Sequence, residues 1–139
     1  LTFFYTRCPF PNFCPRMSKN FEETYEQLTK LPGGPRNWHL LSISFDPDND
    51  TPAVLRIYAS KYQFDPKHWD FVTGKMIDID AITEQFGMMF ARQGANFDHN
   101  LRTVVIDARG RIQRIIIGNT WTSEELVAEL VKAAAKGKG

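Results

Sequence analysis

Strand-like and helix-like stretches take turns along this chain, and that alternation restricts its fold more than any other feature. "LTFFYT" (1–6) is a short apolar run with the composition of a strand buried on both faces. Met17, Phe21, Tyr25, Leu28 and Leu31 recur at spacings of three and four, one face of an amphipathic helix. Pro32-Gly33-Gly34-Pro35 stops that helix. "WHLLSISF" (38–45) reads as a second strand. Thr51 and Pro52 supply an N-cap and a first helical residue for a helix striped by Val54, Leu55, Tyr58, Ala59 and Tyr62. "WDFVTG" (69–74) is a short strand, and residues 76–89 read as a helix. "RTVVIDA" (102–108) and "IQRIIIG" (112–118) make a hairpin. Thr122 and Glu125 then form a capping box for a last helix that buries Leu126, Val127, Leu130, Val131 and Ala134.

The order β-α-β-α-β-α-β-β-α predicts an α/β three-layer sandwich with a central mixed sheet and flanking helices. A β-α-β unit followed by β-β-α, with cysteines at the first strand-to-helix junction, is the thioredoxin-like plan. The 139 residues suit one such domain, 1–139. Leu1 opens directly into a buried strand, so we expect the domain to be N-terminally truncated, with further strands preceding it.

Net charge is +1, which recruits neither nucleic acid nor an anionic membrane. No apolar run approaches the roughly 18–20 residues that span a bilayer. Membrane association is therefore expected only through a segment before Leu1. Two cysteines do not by themselves fix the redox compartment.

Those two, Cys8 and Cys14, lie in "TRCPFPNFCPRMS" (6–18), between the first strand and the first helix. Thiolate is the nucleophile and the metal ligand, and a helix N-terminus favours it. Cys14, directly before Pro15 at the expected helix start, is the better placed of the two. Pro9, Pro11 and Pro15 stiffen the loop. The residues alone leave several roles open: a structural disulfide, two unrelated thiols, a redox pair or two ligands of a soft metal. A peroxidase would use one activated cysteine with Thr6 and Arg7 near it. Of the three histidines, His39 and His68 read as packing or surface residues. His99, just before a strand, is the one that a thioredoxin-like layout brings towards the cysteines. Thioredoxin-like oxidoreductases need a cis-proline before that strand, and residues 93–108 contain no proline. That disfavours disulfide exchange and favours metal binding.

Four segments in order carry a family resemblance: "FFYTRCP…CPRMS", "SISFDPDNDTPAVLRIYASKY", "WDFVTG" and "FDHNLRTVVIDARGRI". Together the chain resembles the Sco/SenC family, thioredoxin-like copper chaperones for cytochrome c oxidase assembly. The resemblance implies copper, Cu(I) or Cu(II), held by Cys8, Cys14 and His99, with Asp98 and Asp46 supporting the site from behind. Turn and helix-capping chemistry is the other role for Asp46 and Asp50. The implied client is a cytochrome c oxidase subunit, at its CuA site, or another copper protein. The implied location is extracytoplasmic, periplasmic or membrane-anchored facing out, in a bacterium, and the mitochondrial inner membrane in a eukaryote. The alternative is an extracytoplasmic thiol-disulfide oxidoreductase using Cys8 and Cys14 as a redox disulfide. One departure stands out: the family loop is C-x-x-x-C-P, and this chain has five residues, "PFPNF", between its cysteines. The two extra residues either bulge outward and leave the sulfurs in place, or displace Cys8. Phe10 and Phe13 in that loop pack on the domain, cover the site or meet a partner.

Overall fold

The structure is a computed structural model and describes residues 1–138. Its elements are β1 (Thr2–Phe4), α1 (Cys14–Lys30), β2 (Leu40–Ser44), α2 (Pro52–Ala59), β3 (Trp69–Val72), α3 (Met76–Gln85), β4 (Phe90–Gln93), β5 (Asn96–His99), β6 (Arg102–Ile106), β7 (Ile112–Ile117) and α4 (Ser123–Ala135). A short 3-10 segment, Lys136–Lys138, follows.

Five strands form a mixed sheet in the order β3-β2-β1-β6-β7. β1, β2 and β3 run parallel, whereas β6 is antiparallel to β1 and to β7. This is the expected thioredoxin-like architecture. Helices satisfy the strands' apolar faces through two buried clusters. One joins Met17, Phe21 and Leu28 of α1 to Leu126 and Ala133 of α4 around Trp69 and Trp121. The other gathers Phe3, Tyr5, Ile43 and Phe45 with Leu55, Tyr58, Ile79 and Phe97. Full burial of each such large apolar side chain stabilises the fold by about 1.5–3 kcal/mol before entropic costs.

The expected caps form. The Thr51 hydroxyl accepts from Val54 N–H and that of Thr122 from Glu125 N–H, each at 3.3 Å. Two valines placed on buried stripes, Val54 and Val131, are exposed instead. The larger correction lies between residues 86 and 99. The helix expected over 76–89 ends at Gln85, because Phe86 leaves helical geometry and Gly87 turns the chain at φ 70°. Residues 90–99, unassigned from the sequence, form a separate antiparallel ribbon, β4–β5. Gly94, at φ 62°, makes its two-residue connection possible between the paired Gln93 and Asn96. That ribbon carries His99.

Candidate metal centre

β1 sits at the middle of the sheet, and the chain leaves it at Tyr5 and turns straight into the cysteine loop. The Cys8 N–H donates to the Tyr5 carbonyl at 3.3 Å. Thr6 is anchored from below. The Asp50 carboxylate, fully buried, accepts from Thr6 N–H at 3.0 Å, Thr6 Oγ1–H at 2.5 Å and Ser44 Oγ–H at 2.6 Å. Thr6 and Arg7 are thus engaged by the Asp46–Asp50 turn: Arg7 lies 3.6 Å from the Asp46 carboxylate.

The five-residue loop between the cysteines bulges outward. Pro9, Phe10, Pro11 and Asn12 are all exposed. The far end is tied down by Phe13 N–H to the Phe10 carbonyl at 3.0 Å and by Asn119 Nδ2–H to the Asn12 carbonyl at 2.8 Å. The chain then enters α1 at Cys14. Phe13 covers one edge of the His99 ring at 5.6 Å, while Phe10 remains 48% exposed.

The outcome is that one ligand-type atom each from Cys8, Cys14 and His99 lies within 4.8 Å of the others. Among the described residues this is the one group of three or more such side chains so placed. Both cysteines are free thiols, Cys14 buried and Cys8 half-buried. His99 is the last residue of β5, held between Phe45 at 5.1 Å and Tyr5 at 5.7 Å. Its Nδ1 faces the Asn100 carbonyl at 2.7 Å. A carbonyl only accepts, so in the neutral ring Nδ1 carries the proton. Nε2, 3.9 Å from the Cys14 sulfur, therefore presents its lone pair to the cysteines. A metal-ligating histidine is commonly fixed in this way.

Electrostatics reverses the expectation for the two thiols. A hydrogen bond from Cys14 pulls Cys8 down to about 4, against the opposing effect of its burial. Cys14 moves strongly the other way, because it holds the proton for Cys8 and because it is buried. The helix N-terminus at Cys14 does not outweigh this. The two shifts run in opposite directions and favour thiolate at Cys8 over Cys14.

Asp98 is exposed, and the group facing His99 Nδ1 is the Asn100 carbonyl. Asp46 is 1% exposed and approaches both Arg7 and Arg92. His39 pairs with Asp70 at 2.8 Å and His68 stacks on Trp38 at 4.1 Å, both away from the trio. The sequence reading missed Tyr5. Its ring is fully buried against His99, and its hydroxyl oxygen accepts from Phe97 N–H at 3.3 Å. The signal was available, since a tyrosine in a strand buried on both faces needs a partner for its hydroxyl.

A thioredoxin-like domain with two free cysteines at the first strand-to-helix junction, and a histidine delivered beside them, defines the class. Within it, the chain belongs to the SCO1/SenC family, whose sequence model matches residues 1–135. A SCO2-like protein of Rickettsia felis is 31% identical over 121 residues, 78% of this chain and 53% of that protein. The chain thus spans about half the length of that relative. The copper-bound structure of Bradyrhizobium japonicum ScoI is 25% identical, with a TM-score of 0.71 over 96% of this chain and 82% of that one. BsSco, described as having a disulfide switch and as one of the Sco family of cytochrome c oxidase assembly proteins, shares the fold. It is 23% identical, with a TM-score of 0.74 over 95% of this chain and 77% of that one.

Proposed function

We propose that this chain binds copper through the Cys8 and Cys14 sulfurs and His99 Nε2 and passes it to a partner. The observation that carries this reading is the convergence of the three ligand-type atoms within 4.8 Å despite the enlarged loop. Two thiolates and an imidazole form a soft set that suits Cu(I), and the imidazole also suits Cu(II). The copper-bound ScoI relative supports the choice of metal. Graded exposure supports delivery rather than storage. Cys8 is half-buried and Cys14 is buried, so a partner's ligands displace Cys8 before Cys14. The client is the CuA site of cytochrome c oxidase, a reading supported by the family and by the description of BsSco. The location is extracytoplasmic or at the mitochondrial inner membrane. Among the described residues no helix is long and apolar enough to cross a membrane. Mixing the Cu(I)-loaded chain with an apo CuA domain of an oxidase tests delivery. Copper is expected to move to the client, and retention on the chain at equilibrium would contradict the chaperone role.

A second reading is favoured by the free thiols themselves. With Cys8 as thiolate beside Cys14–SH, the pair is set up to reduce a client disulfide. Each cysteine would give one electron and the pair would close as a disulfide. The disulfide switch of BsSco supports this alternative.

A further inference from the structure

The three candidate ligands come from two pieces of chain that share no strand pairing. Cys8 and Cys14 hang from β1 of the five-stranded sheet, whereas His99 ends a separate ribbon. Something must fix the distance between them. Aromatic packing does part of this: Phe90 stacks on Phe45 at 4.9 Å, and Phe97 meets Tyr5 edge-on at 5.0 Å. Apolar burial is non-directional, however, and sets no register at the scale of a ligand bond.

A directional tie runs alongside it. Asp46 is 1% exposed, and its carboxylate reaches both pieces. Oδ2 lies 3.6 Å from Arg7 Nη2, and Arg7 directly precedes Cys8. Oδ1 accepts from Arg92 Nη2 at 3.4 Å, and Arg92 is in β4. Arg92 is paired with Phe97 across the ribbon, and its guanidinium lies over the Phe97 ring at 4.7 Å. Asn49 Nδ2 donates to both carboxylate oxygens, at 3.0 and 3.1 Å, and keeps the carboxylate facing the two arginines.

We propose that Asp46 is a positioning residue that ties the cysteine loop to the His99 ribbon through Arg7 and Arg92, holding the imidazole within reach of the metal. The inference rests on the copper-binding reading above. A buried carboxylate is costly unless paired, so Asp46 draws in both guanidiniums. Without its charge, Arg7 and Arg92 are two like charges facing each other, and their repulsion acts to separate the pieces that carry the ligands. Loss of Asp46 therefore acts on His99 ligation more than on the cysteines, which share one loop.

The test uses Asp46→Asn, nearly isosteric, and Arg92→Gln, whose side chain is 47% exposed. Each is compared with the wild-type chain by competition for Cu(I) against a chelator. With Cu(II), imidazole nitrogen coupling is read by electron paramagnetic resonance and thiolate-to-copper charge transfer by absorption. Each variant is expected to keep the thiolate band, lose or weaken the nitrogen coupling, and bind copper about 10–100-fold less tightly. The double variant should be little worse than either single one, as for members of one network. A merely destabilised protein would instead lose thiolate and nitrogen signals together. Wild-type nitrogen coupling and affinity in a folded Asp46→Asn or Arg92→Gln would overturn the proposal. If the wild-type chain bound no copper, the copper-binding reading itself would fall, and the two failures are told apart on that first sample.

Discussion

Cys14→Ser is expected to weaken Cu(I) binding by about a hundredfold or more. Structural zinc sites built from thiolates and imidazoles draw about 10–16 kcal/mol from their full ligand set, so by analogy one ligand is worth several kcal/mol. Serine presents a hard, protonated oxygen in place of a soft sulfur. Cys8→Ser should cost about as much, and His99→Ala somewhat less for Cu(I), whose softness favours the two thiolates. For Cu(II) the order tightens, because imidazole matters more to that ion. The pH dependence has a definite sign. Cys8 is already a thiolate above its lowered value of about 4, while Cys14 holds its proton through the neutral range. Binding to both sulfurs must then release about one proton, so affinity should rise about tenfold per pH unit around neutrality. It should fall more steeply once acid also protonates Cys8. Chelator competition at several pH values measures both effects. Equal affinity in Cys14→Ser, or no pH dependence, would contradict the ligand assignment.

Asp50→Ala is expected to lower the stability of the metal-free, reduced chain by about 3–5 kcal/mol, as breaking a buried polar network does. Its carboxylate is fully buried and receives three hydrogen bonds, two of them from Thr6 at the root of the cysteine loop. Alanine leaves Thr6 N–H and the Ser44 hydroxyl without that acceptor and a void where the carboxylate stood. In a chain of 139 residues the loss corresponds to roughly 10–17 °C in Tm. Urea unfolding of the reduced protein measures it. A loss below about 1 kcal/mol would mean that the Asp46–Asp50 turn is a surface feature rather than the foundation of the loop.

Much of the fold was legible because its signals are local. The stripe from Met17 to Leu28, the caps at Thr51 and Thr122, and the β6–β7 hairpin each lie within one short window. The β4–β5 ribbon was not, since "FARQGANFDH" lacks the β-branched residues that mark strands. Its order comes from Phe90 and Phe97 packing on Phe45, a partner some fifty residues away that no window reveals. The ligand trio was found by type and topology, with the family resemblance raising His99 above His39 and His68. Burial was the part that spacing could not supply. A helix N-terminus pointed to Cys14 as the thiolate, yet enclosure of Cys14 and its hydrogen bond to Cys8 place the charge on Cys8. Arg7 and Arg92, eighty-five positions apart, meet at Asp46 only in three dimensions.

With the loop enlarged, everything rests on the coordination sphere that Cys8, Cys14 and His99 form around copper. X-ray absorption at the copper edge, on the chain loaded with one equivalent of Cu(I), tests it most directly. Two sulfur neighbours and one imidazole nitrogen are expected, with the nitrogen lost in His99→Ala. A first shell with a single sulfur, or one unchanged by His99→Ala, would contradict it.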